Sequence, residues 1–370
     1  MVNVPTTVRL LDQHGRLSTH ETYSPFLEDL TDERLLHMYR AMVRARHFDT
    51  AATNLQRHGE MALWVPLRGQ EGVQAGVAQA LQAEDVLIPS YRDHLLLLER
   101  GITPAQVLTL FRGAGHGGWD PTESNTHLPV LVIGAQAQHA AGRAWALARD
   151  AAPEPPGRAA LVCFGDGATS QGDVNEAMVF AASTQAPLVF LCQNNGWAIS
   201  VPTAVQARVP IAARAPGFGI PSVRVDGNDP LASYAVAREA LRRGRTGGGP
   251  SFIEAVTYRM GAHTTSDDPT RYRTAPEEQE WAAKCPIARM ATFLRARGVL
   301  DDAAVDAIDE EGKDLAAAAR AAIHVIDPGP AHQPFRNVTA LPHPLVEAER
   351  EWFENFEASF LEESGKEGHR

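Results

Sequence analysis

Short apolar runs of strand type recur along this chain, each ending in a polar or glycine-bearing turn. Val86 to Pro89, Ala159 to Phe164, Pro187 to Cys192, Ser222 to Val225 and Phe252 to Thr257 are such runs. The segments between them carry helical spacing instead. In the longest, Leu35, Met38, Met42, Ala45 and Phe48 form one apolar face. Thr31 is placed to cap that helix, Asp32 and Glu33 suit its N-terminal dipole, and His58-Gly59 stops it. Other helices are expected from Gly69-Gln70-Glu71-Gly72 to near Gln82, from Tyr91-Arg92-Asp93-His94 to Gly101, and from Thr103-Pro104 onward. Two more are expected at Ala135 to Arg149 and Leu231 to Arg243. Strands alternating with helices predict an α/β fold with a doubly wound, mostly parallel sheet.

Three regions are expected: a polar, aperiodic N-terminal arm over 1–30, the α/β domain over 31–275, and a helical C-terminal region over 276–370. Pro328-Gly329-Pro330 is read as a hinge before a last helix from Pro344 to Leu361. Residues 113–129 form a long loop with Gly, Pro and Asn, and long loops in compact domains are usually functional or mobile.

Chemistry is expected at the strand ends. Gly165-Asp166-Gly167 follows one apolar run, and after 26 more residues Asn194-Asn195 follows the next. A crossover of this length in a parallel sheet brings both turns to one carboxyl edge. An acidic side chain and an amide oxygen then meet, a donor pair suited to Mg²⁺. The glycines let backbone approach a phosphate closely. Tyr91-Arg92, just after a strand, offers a guanidinium and helix N–H groups to an anion. His263 lies on a polar loop after the last apolar run, at the same edge. The prediction is a Mg²⁺-diphosphate site.

Composition narrows the class. The 370 residues are 44% hydrophobic and 21% charged, as in globular enzymes. A net charge of −11 argues against a nucleic-acid partner. Cys163 and Cys192 sit inside apolar runs, and Cys285 is alone, so no disulfide or zinc pairing is expected and a cytoplasmic location fits. No stretch reaches the roughly 18 apolar residues of a membrane span.

The Gly-Asp-Gly to Asn-Asn spacing in this strand context resembles the signature of thiamine diphosphate enzymes. Nearly the whole chain, about residues 30–360, resembles the α subunit of the decarboxylating component of 2-oxo acid dehydrogenase complexes. Gly69 to Gly72, Tyr91 to His94, Gly165 to Gly172, Asn194 to Ser200, Val225 to Asp229 and Tyr258 to Arg273 carry the resemblance. The Asn-Asn-Gly-Trp-Ala-Ile-Ser run and the His-Thr-Thr-Ser-Asp-Asp-Pro loop look more like branched-chain members than pyruvate members.

The resemblance implies a thiamine diphosphate-binding fold with helical extensions at both ends. It assigns Asp166, Asn195 and the Trp197 carbonyl to Mg²⁺. Tyr91, Arg92 and His263 are assigned to the cofactor's diphosphate end, His263 also being the expected catalytic residue. Gly165, Asp166, Gly167, Ala168 and Asn195 belong to the same cofactor site, and the backbone at Ile133 grips the aminopyrimidine. Gln193 departs from the Arg of some relatives, removing one positive contact.

The implied reaction is oxidative decarboxylation of a small 2-oxo acid, with transfer of the acyl group to a lipoyl arm of an acyltransferase component. A glutamate that activates the cofactor comes from a β subunit in this family, so an α2β2 heterotetramer is implied. A pyruvate or acetoin dehydrogenase α subunit is the alternative within the family. A non-catalytic Mg²⁺-diphosphate-binding assembly subunit is the alternative of another class.

Overall fold

A six-stranded parallel sheet runs through the computed structural model, which describes residues 6–115, 117–327, 329 and 332–367, with side chains described through 360. In chain order the strands are β1 (Thr7–Val8), β2 (Val86–Ile88), β3 (Ala160–Gly165), β4 (Leu188–Asn194), β5 (Trp197–Ala198), β6 (Val201–Pro202), β7 (Ser222–Asp226) and β8 (Ser251–Val256). The sheet order is β1-β7-β8-β4-β3-β2, while β5 and β6 form a small antiparallel hairpin. Helices α1 (Asp32–Arg57), α2 (Glu71–Ala80), α3 (His94–Glu99), α4 (Pro104–Arg112), α5 (Pro121–Ser124), α6 (Ala135–Ala151), α7 (Gly172–Ser183), α8 (Thr203–Gln206) and α9 (Pro230–Arg245) intervene. Then come α10 (Ala275–Ala282), α11 (Pro286–Ala296), α12 (Asp302–Ile323) and α13 (Pro344–Glu367).

The central strands are apolar on both sides because both faces of the sheet are covered. Successive side chains of a strand point to opposite faces. In β3, Leu161 and Cys163 join one core with residues of α1, α2 and α9. Ala160, Val162 and Phe164 join a second core with residues of α6 and α7. This is the doubly wound arrangement that the alternating runs predict.

Two local features differ in detail from the sequence reading. The N-terminal segment is extended but fastened down. β1 adds an edge strand beside β7, and Leu10 and Leu11 are fully buried. Their backbone N–H groups donate to Asp229 Oδ2 at 2.7 and 2.6 Å, and Asp229 also caps α9. The helix expected from Tyr91 begins only at His94. Asp93 does not cap it, because its carboxylate accepts from Ser90 N at 2.6 Å and from Gln193. Tyr91 and Arg92 therefore stand in the turn between β2 and α3, not at a helix N-terminus. Pro328 and Pro330 of the expected hinge, and His116 of the 113–129 loop, lie outside the described residues. Among the described residues, no helix is long and apolar enough to cross a membrane.

Gly69 ties the turn before α2 to the segment after β8. Its φ is +104°, and a Cβ there would lie 1.9 Å from the Tyr258 carbonyl oxygen. A side chain at this point meets both left-handed strain and a backbone clash that cannot rotate away. Gly69→Ala should cost about 3 kcal/mol or more of folding stability. Urea unfolding should show a clearly lower midpoint, and an unchanged midpoint would contradict this.

Candidate active site

Because the sheet is parallel, the carboxyl ends of β2, β3, β4 and β8 share one edge. A cavity of about 360 Å³ opens there. Its lining comes from the turns after β2 and β3, the end of β4 with the hairpin that follows, the loop after β8, and the segments before α2 and α6. Tyr91, Arg92, Ile133, Gly165, Asp166, Gly167, Ala168, Asn195, Trp197 and His263, all named from the sequence, line it together. The described residues of 113–129 contribute none of the lining.

Asp166 directly follows β3 and is only 2% exposed. Its Oδ2 accepts from the Thr203 hydroxyl at 2.7 Å and from Gln206 Nε2 at 3.1 Å. Burial raises its pKa, since neutral hydroxyl and amide donors compensate desolvation only in part. The neighbouring turn is packed too tightly for a side chain: a Cβ on Gly167 would lie 2.8 Å from Ala198 Cβ in the hairpin.

The two asparagines divide their work. Asn194 braces the turn: its Nδ2 donates to Glu254 at 2.8 Å and its Oδ1 accepts from Gly196 N at 3.2 Å. Asn195 lines the cavity, with Nδ2 donating to Gln70 at 2.7 Å and Oδ1 accepting from Trp197 N at 3.3 Å. Among the described residues, no three His, Cys, Asp or Glu side chains group to hold a metal. A cation here would rest on one carboxylate plus neutral oxygens, a donor set of Mg²⁺ type.

Two guanidiniums meet at His263: Arg92 lines the cavity, and Arg259 is buried. Arg92 Nη2 donates to the His263 carbonyl at 2.9 Å, and its Nη1 donates to the Pro66 carbonyl. Asp49 holds that Pro66 segment by accepting from Trp64 Nε1 at 2.9 Å and Leu67 N at 2.8 Å. Burial brings the Arg92 pKa down to about 10, which leaves it charged at neutral pH. Arg259 Nη1 donates to the Trp197 carbonyl at 3.2 Å and Nη2 donates to the Ile199 carbonyl at 2.6 Å.

Both guanidiniums approach His263 Nδ1, each at 3.4 Å. Burial, then Arg92 and Arg259, pull the His263 pKa down to about 4. The ring is therefore neutral at neutral pH. With N–H donors facing Nδ1, its own proton belongs on Nε2.

Sequence reasoning missed Arg259, Thr203 and Gln206. Arg259 lies in a stretch flagged for its motif, but nothing local marks an arginine that is 1% exposed. Gln70 was noticed as a motif residue without a role in the site, and Gln193 as a departure that removes one positive contact.

The parallel sheet edge gathers a buried carboxylate, an amide and the Arg92 guanidinium around one cavity, an arrangement typical of α/β proteins whose sites lie at the carboxyl ends of the strands. Residues 39–324, more than half of the chain, match the family described as dehydrogenase E1 component, and the chain belongs to that family. It is 42% identical over 345 residues to the "3-methyl-2-oxobutanoate dehydrogenase subunit alpha" of Mycobacterium tuberculosis, covering 93% of this chain and 92% of that one. It is 38% identical over 318 residues to the "Pyruvate dehydrogenase E1 component subunit alpha" of Staphylococcus aureus, covering 85% and 84% respectively.

The depressed pKa of His263 has a sign that stability can report. Below the ordinary histidine pKa of 6.5 the unfolded chain takes up a proton that the folded chain refuses until about pH 4. Acid therefore costs the native protein stability through this group. The melting temperature of the wild type relative to His263→Asn should fall as pH drops from 7 to 5 without cofactor. A constant difference would contradict a neutral buried imidazole.

Proposed function

We propose that this chain is the α subunit of a 2-oxo acid dehydrogenase and that the cavity holds the diphosphate end of thiamine diphosphate with Mg²⁺. The observation that carries this is the meeting of Asp166, Asn195, Trp197, Arg92 and His263 in one cavity at the sheet edge. In this reading Asp166, Asn195 Oδ1 and the Trp197 carbonyl hold the cation. Both hydrogen bonds to Asp166 use Oδ2, so neither takes Oδ1. The Trp197 carbonyl accepts once from Arg259, and a carbonyl has a second lone pair.

Tyr91, Arg92 and His263 take the diphosphate, His263 as a neutral Nε2–H donor. The backbone of Gly165, Gly167 and Ala168 closes on the phosphates, and a Cβ on Gly165 would meet no protein atom within 4 Å. Ile133 supports the aminopyrimidine. When bound, the cofactor supplies the electron sink for decarboxylation. The protein's part is to fix geometry and balance charge.

Among the described residues no glutamate lines the cavity, which supports a site completed by a β subunit in an α2β2 assembly. A lipoyl acyltransferase component would take the acyl product, in the cytoplasm. The higher identity to the 3-methyl-2-oxobutanoate relative, 42% against 38%, supports a branched-chain substrate over pyruvate. Leu63, Val65, Leu131 and Phe164 in the lining suit an apolar acyl chain.

Decarboxylation by the reconstituted heterotetramer tests the substrate. It should favour 3-methyl-2-oxobutanoate and 4-methyl-2-oxopentanoate over pyruvate, and a preference for pyruvate would overturn the branched-chain reading. Calorimetry tests the site. Asp166→Ala should abolish measurable Mg²⁺-dependent binding of thiamine diphosphate, and unchanged binding would remove Asp166 from the metal.

A further inference from the structure

Behind Asn195 lies a buried chain of side-chain amides that ends on a carboxylate. Asn195 Nδ2 donates to Gln70 Oε1 at 2.7 Å, Gln70 Nε2 donates to Gln193 Oε1 at 3.1 Å, and Gln193 Nε2 donates to Asp93 Oδ1 at 2.5 Å. Asn195, Gln70, Gln193 and Asp93 are all buried, none more than 6% exposed. They come from three segments far apart in sequence: the end of β4, the turn before α2 and the turn after β2.

The direction of this chain is fixed at two points. An ionised carboxylate can only accept, and Asp93 Oδ2 already accepts from Ser90 N at 2.6 Å. Gln193 must therefore turn its NH₂ group toward Asp93. Gln74 sets the middle. Its Oε1 accepts from Leu95 N at 3.2 Å, so its Nε2 faces the Arg92 carbonyl at 3.1 Å and Gln193 Oε1 at 3.0 Å. Gln193 Oε1 thus accepts twice, from Gln70 and Gln74.

Reversal of any one amide would set NH₂ against NH₂ or oxygen against oxygen in a buried site. With Gln193 set, Gln70 must give it Nε2 and turn Oε1 to Asn195. Asn195 must then spend Nδ2 on Gln70 and keep Oδ1 free of that contact. The glutamine at 193, read from the sequence as a missing positive contact, has a use here. An arginine has no acceptor and could not receive Gln70 and Gln74.

We propose that Gln70, Gln193 and Asp93 are positioning residues that decide which atom of Asn195, oxygen rather than nitrogen, is offered to the cation. The inference rests on the reading of Asn195 as a cation ligand. An unconstrained amide has two orientations, and only one of them offers oxygen to Mg²⁺. The Trp197 N–H, at 3.3 Å from Oδ1, favours that orientation weakly, and the shorter bond to Gln70, fixed in direction by the chain behind it, holds it before the metal arrives.

The test uses a symmetric ligand. In an Asn195→Asp background both terminal atoms are oxygen, so orientation no longer matters. Mg²⁺ affinity is measured by calorimetry on the heterotetramer with saturating thiamine diphosphate, alone and with Gln70→Met, a change that keeps size and removes both hydrogen bonds. Gln70→Met should weaken Mg²⁺ about tenfold beside Asn195, and less than about twofold in the Asn195→Asp background.

Equal losses in both backgrounds would make Gln70 a packing residue and overturn the proposal, as would no loss in either. Gln193→Met, one step further from the metal, should give the same pattern and serves if Gln70→Met does not assemble. Asn195→Ala separates the two levels. Unchanged Mg²⁺ affinity there would remove the ligand reading and the purpose of the chain with it. A loss there, with Gln70→Met and Gln193→Met unaffected, would overturn the positioning chain alone.

Discussion

A carboxylate buried at the end of a strand has to be compensated, and Asp166 is that constraint here. It is 2% exposed, its hydrogen-bond donors are the neutral Thr203 and Gln206, and burial raises its pKa. An unpaired buried charge is costly. Much of the surrounding architecture can be understood as holding groups near this charge. The β5–β6 hairpin approaches within contact of Gly167, and Thr203 and Gln206 follow that hairpin on α8. A cation at this point completes the compensation in the proposed reading.

The rest of the cavity is organised around keeping its polar groups in one state. Burial, with Arg92 and Arg259 beside it, leaves His263 neutral, so this ring offers a hydrogen bond without a titrating charge. Their own N–H groups are tied to the carbonyls of Pro66, His263, Trp197 and Ile199, which locks four chain segments around the site. Asp93, with a pKa pushed up to about 6 by burial, anchors the amides behind Asn195. Fixed donors and acceptors need no rearrangement when charge develops, which is how electrostatic preorganisation lowers barriers. Side chains in this arrangement bind and orient, and among the described residues none is a glutamate facing the cavity. That is why the proposed chemistry calls for a second subunit.

The sheet and the gathered site were largely legible in the sequence, because both rest on local signals. Alternating faces of β3 and β4 produce unbroken apolar runs, and the turns that follow must share an edge in a parallel sheet. Hence Asp166, Asn195 and His263 could be brought together without coordinates. What was not legible depends on contacts between distant segments. The start of α3 slipped to His94 because Asp93 is drawn away by Gln193, 100 positions later. The burial of Arg259 and the pairing of Gln206 with Asp166 leave no periodic trace. The N-terminal segment looked aperiodic because, among its described residues, two, Thr7 and Val8, pair with the sheet.

The central claim is that this chain holds only the diphosphate half of a thiamine site. The most direct measurement is single-turnover decarboxylation of 3-methyl-2-oxobutanoate, with thiamine diphosphate and Mg²⁺, by the isolated chain and by the chain after adding its β subunit. The account predicts no turnover from the isolated chain and turnover once the β subunit is present. Decarboxylation by the isolated chain would contradict it.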